Sequence, residues 1–135
     1  MTRRSAAAAE KAAKDVFVAA DKDIAEGGRK VIVAGDLEVG VFRAGGELFA
    51  WLNVCPHAGG PVCQGRTMKR VEEKLDANRR SLGIDNVDGT LDIICPWHGF
   101  EFDVRTGRHV GLSRIRLKGF PVNVRDGAIY VTLPG

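Results

Sequence analysis

Four residues of two types stand in two short segments that could bind metal. Cys55 and His57 lie in a Cys-Pro-His segment, and Cys95 and His98 lie in a Cys-Pro-Trp-His-Gly segment that follows after 37 intervening residues. Two thiolates can hold one metal ion and two imidazoles a second one. The same four ligands could instead close a tetrahedral zinc site. In either case the two segments must converge in the folded chain.

The sequence on either side of these two segments predicts β-strands, which must hold the segments in place. Short apolar stretches recur from Val16 onward, and Gly-Gly, Gly-Asp, Asp-Gly and Thr-Gly pairs separate them. No helical pattern of 10 to 15 residues falls between the strands, which favours an antiparallel sandwich or open barrel over a parallel sheet. We expect strands near 16–19, 29–34, 37–43, 47–52, 91–94, 100–103, 113–117, 121–125 and 128–133.

The chain of 135 residues has the length of one domain, which we place at 15–135, after a flexible tail at 1–14. Residues 66–90 form a charged stretch, predicted as a hairpin around Ala77 and Asn78. The formal charge of +3 resides in the tail; within the neutral domain, residues 15–65 sum to −3 and residues 99–135 to +3. No basic face with interleaved aromatics predicts nucleic-acid binding.

The residues from Cys95 to Asp103, followed by Thr106 and Gly107, resemble the Rieske family, and the resemblance extends over most of residues 15–135. It implies an all-β, Rieske-like fold with a small cluster-binding subdomain, whose loops lie around 53–65 and 93–103. It further implies a 2Fe-2S cluster, with Cys55 and Cys95 on one iron and His57 and His98 on the other. The spacer of 37 residues is longer than in the simplest Rieske ferredoxins, so residues 66–90 are interpreted as an insertion.

The positions around the predicted cluster indicate a low reduction potential. High-potential members of the family carry a disulfide between the two loops, and the corresponding positions are Gly60 and Trp97. Their potential-raising Ser and Tyr hydroxyls correspond to Phe100 and Phe102, which cannot donate hydrogen bonds. This is the pattern of oxygenase-associated ferredoxins.

The resemblance implies a one-electron carrier rather than an enzyme. A self-contained oxygenase needs a further iron site with two histidines and a carboxylate, and only His109 remains. The implied partners are a reductase that donates electrons and an oxygenase that accepts them. The alternatives are a Rieske-fold small subunit of a nitrite-type or other reductase complex, and a zinc-holding structural module.

Three further features are assigned structural roles. We interpret Cys63 as a plain thiol and His109 as a solvated loop residue. Alternation of Arg114, Arg116 and Lys118 with apolar residues predicts three cations on one strand face, either a solvated face or a docking stripe. Short apolar runs and charges near the N-terminus predict neither a membrane span nor an export signal, hence a cytoplasmic protein.

Overall fold

The computed structural model describes residues 14–56, 59–69, 71–75, 77–79, 81–86, 90–97, 99–112 and 114–134. These residues form an all-β fold of four antiparallel sheets with two 3-10 turns, at Asp21–Asp23 and Val62–Gln64. No helix in the described part of the chain is long and apolar enough to cross a membrane. The predicted tail lies outside the described residues except for Lys14, where the first strand begins.

Two sheets form the main sandwich. One contains β1 (Lys14–Ala20), β12 (Ala128–Leu133) and β11 (Val122–Arg125), in that order. The other contains β10 (Gly119–Phe120), β4 (Glu47–Leu52), β3 (Leu37–Ala44) and β2 (Arg29–Ala34). Apolar side chains alternate along these strands, so each sheet contributes one face to the core between them.

Strand β3 is buried on both faces, which is why its central residues Val39, Gly40, Val41 and Phe42 have no polar member. Val39 and Val41 pack into the sandwich core, whereas Phe42 belongs to a second core under the third sheet. A glycine at position 40 leaves space on that second face. A Cβ atom there would lie 2.5 Å from Cβ of Cys63.

The third sheet carries the segments of interest. It contains β5 (Arg66–Met68), β8 (Asp92–Ile94) and β9 (Glu101–Asp103), and β8 leads directly into Cys95. The predicted insertion at 66–90 therefore begins inside this sheet. A separate hairpin follows, formed by β6 (Val71–Leu75) and β7 (Ser81–Asn86), as predicted around residues 77 and 78.

The strand predicted at 113–117 is wrong. The described residues there form an isolated antiparallel bridge between Arg108 and Arg116. A regular strand does not form because successive residues bond to different segments. The N–H of Leu117 donates to the carbonyl of Gly107, whereas the carbonyl of Lys118 accepts the N–H of Leu52 in the second sheet. The other predicted strands are present within a few residues of their expected limits.

Candidate metal centre

The two cysteine segments fold into loops with the same backbone frame. The N–H of Cys55 donates to the carbonyl of Gly60 at 2.8 Å, and the N–H of Gly59 donates back to the carbonyl of Cys55 at 2.8 Å. In the second loop Cys95 donates to Phe100 at 2.8 Å, and Gly99 donates to Cys95 at 3.0 Å. Each loop thus closes five residues after its cysteine.

The fifth residue of each loop is a glycine because the backbone there is left-handed. Gly59 has a φ of +79° and Gly99 a φ of +73°, values that other residues adopt only with strain. Both segments accordingly read Cys-Pro-x-x-Gly, from Cys55 to Gly59 and from Cys95 to Gly99. The sequence analysis did not recognise this shared signal, although it was available.

The two loops meet at Gly60. A Cβ atom on this residue would lie 2.8 Å from ring atoms of Trp97 and 3.1 Å from Sγ of Cys95. The Cys95 sulfur is therefore adjacent to the residue whose carbonyl accepts the Cys55 N–H. Both cysteines are 2% exposed. The two loops that carry the cysteines therefore meet, as the predicted metal centre requires.

His57 and His98, the other two predicted ligands, lie outside the described residues. Their ligation therefore stays a prediction. In sequence they are the third residue of the first loop and the fourth of the second.

Asn53 links the residues on either side of the first loop. Its side-chain carbonyl accepts the N–H of Cys63 at 2.8 Å, while its amide nitrogen donates to the carboxylate of Glu38 at 3.0 Å. Its own N–H donates to the backbone carbonyl of Glu38 at 2.8 Å. From β2, Arg29 donates to the carbonyls of Cys63 and Gly65. The sequence analysis missed Asn53, because nothing local to it indicates a partner ten residues away.

Cys63, interpreted from the sequence as a plain buried or semi-exposed thiol, is fully buried. It packs against Gly40, and its Sγ lies 3.3 Å from the carbonyl of Trp51, which it can reach as a donor. Burial raises the pKa of this thiol to about 12, with the nearby Glu38 carboxylate adding to the effect. The thiol is therefore protonated at neutral pH and a poor nucleophile.

Aromatic residues cover the base of the second loop. Phe102 is fully buried and Phe100 partly buried, and both rings pack in the core that contains the two cysteines. Trp97 differs, since it is 59% exposed although its ring lies against Gly60.

His109 is partly buried rather than solvated. Its ring meets Phe100 and Phe102 edge-on, with centroids 4.9 and 5.6 Å away. Its Nδ1 accepts the backbone N–H groups of Gly111 and Leu112 at 3.0 and 2.9 Å. With Nδ1 as an acceptor, the neutral ring carries its proton on Nε2. The residue thus packs beside the second loop and shapes the turn that follows.

Comparison with known proteins identifies the fold. The family model of the Rieske [2Fe-2S] domain matches residues 14–121. The chain belongs to the Rieske family. It is 28% identical over 120 residues to the ferredoxin subunit of 3-phenylpropionate/cinnamic acid dioxygenase from Photorhabdus laumondii subsp. laumondii, covering 87% of this chain and 93% of that protein.

Solved structures agree with this assignment. The ferredoxin of carbazole 1,9a-dioxygenase from Nocardioides aromaticivorans has a TM-score of 0.60 and 26% identity, covering 87% of this chain and 96% of its own. The putative small subunit of an NADH-dependent nitrite reductase from Mycobacterium tuberculosis has a TM-score of 0.64 over 90% of this chain and 96% of its own. At 18% identity it shows a shared fold alone.

The cofactor of this Rieske chain is a 2Fe-2S cluster, and the described residues fit it. Two buried cysteines from matching loops converge at Gly60, and thiolate sulfur is the ligand that iron-sulfur clusters require.

Proposed function

We propose that this Rieske chain is a one-electron carrier that takes electrons from a reductase and delivers them to a terminal non-haem iron oxygenase. Cys55 and Cys95 would bind one iron of the cluster, and His57 and His98 the other. The observation that carries the proposal is the convergence of two matching cysteine loops at Gly60. The cluster, when bound, accepts and releases a single electron.

The chain's own residues would hold this site rigid and keep water from one side of it. The loop frames fix the cysteines, Asn53 closes the first loop, and the buried Phe102 ring packs in the core that contains both thiols. Such surroundings tune a reduction potential through hydrogen bonding and solvent access. Phe100 and Phe102 offer no hydroxyl donor, and the ring of Trp97 lies against Gly60 where a disulfide would otherwise join the loops.

Support for an oxygenase partner comes from the relatives at 28% and 26% identity, both named as ferredoxins of dioxygenase systems. A nitrite-type reductase partner has weaker support, because the corresponding likeness extends to the fold alone. Catalysis by the chain itself is disfavoured: its sequence has three histidines, and two are assigned to the cluster.

Voltammetry of protein purified without added metal tests the proposal. We expect a reversible one-electron couple near about −150 mV, the lower end of the Rieske range. A couple hundreds of millivolts higher would contradict the low-potential assignment. A colourless protein with bound zinc and no couple would overturn the electron-carrier function.

Single substitutions test the ligand assignment. Cys95→Ala and His98→Ala should each abolish the visible absorption of the cluster, because each removes one of its four ligands. Cys63→Ala is the matched control and should retain the spectrum, since this third buried thiol bonds to the Trp51 carbonyl instead. An unchanged spectrum in either ligand variant would refute that ligand.

A further inference from the structure

Four cations that the proposed function does not use lie on one face beside the third sheet. Arg108, Arg114, Arg116 and Lys118 are all exposed, and the intervening Ile115 and Leu117 turn towards the core. The alternation expected for 114–118 is therefore present even though a regular strand is not. The bridge between Arg108 and Arg116 adds the fourth cation to this face. We call these four residues the basic stripe.

The basic stripe is electrostatically unfavourable for the isolated chain. Arg108 and Arg116 are directly opposite each other across an antiparallel bridge, where like charges destabilise a sheet. Among the described residues, no carboxylate forms a salt bridge with any of the four. Beside the stripe, the N–H of Asp103 donates to the carbonyl of Arg108, and the Asp103 carboxylate accepts the backbone N–H of Arg105.

The stripe also adjoins the second cysteine loop. Residues 108–110 run beside β9, with His109 bridged to Phe102 and the N–H of Val110 donating to the carbonyl of Glu101. Val110 and Leu112 are large, exposed apolar side chains on the segment that follows Arg108, and Trp97 is exposed in the second cysteine loop. Exposed apolar side chains next to arginines without salt-bridge partners in the described chain are typical of a protein-protein interface.

We propose that the basic stripe, with Trp97, Val110 and Leu112 beside it, is the surface on which an acidic face of the redox partner docks. The argument rests on the proposed electron-carrier function, and charge complementarity selects the partner's chemistry. Carboxylates of the partner would neutralise the Arg108 and Arg116 pair, while the apolar residues would be desolvated at the contact. Attraction of this kind accelerates encounter and orients the partner towards the loop.

A carboxylate-terminated alkanethiol monolayer on gold can serve as the acidic probe for the cluster-loaded protein. The stripe variant is Arg108→Gln/Arg114→Gln/Arg116→Gln. The control Lys14→Gln/Lys22→Gln/Lys30→Gln removes the same charge from exposed positions on other elements. At low ionic strength we expect the stripe variant to lose about tenfold in interfacial electron-transfer rate, and the control to change by less than about twofold.

Equal losses in the two variants would overturn the docking proposal, because net charge alone would then explain adsorption. A reversible couple measured in solution with a soluble mediator tests the electron-carrier function separately, since that measurement needs no docking. Thermal unfolding gives a further criterion: the stripe variant should be no less stable than the parent, as it loses a repulsive pair. A clear loss of stability would instead assign the arginines a structural role.

Discussion

Gly60 brings together, at the scale of a residue, the two halves of the cluster site. Its carbonyl closes the first loop, and its missing side chain leaves room for the Trp97 ring and the Cys95 sulfur of the second. Gly59, its neighbour, is required for a different reason: it has a positive φ, and a Cβ added to it would meet no atom within 4 Å. Gly60 is thus needed for close contact between the two loops, and Gly59 for the left-handed backbone conformation.

Gly60→Ala should weaken cluster retention, because the added methyl overlaps both Trp97 and the Cys95 sulfur. Overpacking of this kind costs about 1–3 kcal/mol. The measurement is the rate at which visible absorption is lost in the presence of an iron chelator. Gly59→Ala is the control, since it introduces only backbone strain of about 1–2 kcal/mol. Slower loss from Gly60→Ala than from Gly59→Ala would contradict the contact.

At the scale of elements, side-chain hydrogen bonds to backbone hold the loops and turns that connect the sheets. Asn53, just before the first loop, accepts the N–H of Cys63, just after it, and Glu26 accepts the N–H groups of Gly45 and Gly46 at 2.6 and 2.9 Å in the turn between β3 and β4. All three bonds satisfy backbone donors that no neighbouring strand can reach.

Asn53→Ala should destabilise the first loop, because it leaves the buried N–H of Cys63 without an acceptor. An unsatisfied buried donor costs about 1–3 kcal/mol. We expect faster decay of the visible absorption at a fixed denaturant concentration, a kinetic measure suited to irreversible unfolding. Glu38→Gln keeps an acceptor oxygen for the Asn53 amide and should have a much smaller effect. Equal decay rates for the two variants would contradict the role of Asn53.

Acid should weaken the turn held by Glu26. The two backbone N–H donors lower the pKa of this carboxyl from its ordinary value of 4.5. A lowered folded-state pKa means that the stabilisation is fully present above 4.5 and is lost as the pH falls through the folded-state value.

The stability difference between the parent and Glu26→Gln should therefore be largest at neutral pH and should shrink in acid. Denaturant midpoints at several pH values measure this difference. A Glu26→Gln difference that stays constant with pH would exclude the titration of Glu26 as the cause.

At the scale of the whole molecule, the chain consists of a sandwich, a third sheet carrying the loops, and the β6–β7 hairpin. Within the described strands, β6 and β7 pair only with each other. The sandwich core and the core under the third sheet share β3. The hairpin strands therefore form a sheet of their own, outside the ladders that build the site.

Replacing residues 70–89 by an Asn-Gly turn should leave the domain folded and the cluster bound. Shortening a loop changes the free energy of unfolding by about 1 kcal/mol or less. The visible spectrum and thermal midpoint measure the outcome, and a Gly/Ser segment of the original length is the control. Loss of the cluster in both variants would show that the hairpin supports the site. We further hypothesise that this charged insertion helps to select the partner. Unchanged electron-transfer rates from the shortened variant to the partner would contradict that hypothesis.

The sequence alone predicted the two cysteine loops, most strands and the hairpin around Ala77 and Asn78, because these depend on local patterns: Cys-Pro segments, alternating apolar residues and turn pairs. Tertiary structure decided the meeting of the loops at Gly60, the bond from Asn53 to Cys63 and the burial of His109 between two phenylalanines. It also replaced a predicted strand at 113–117 by one bridge. Most of these features join residues far apart in the chain. Steric fit between distant segments produces no periodic pattern in the sequence of either segment, so local patterns could not predict it.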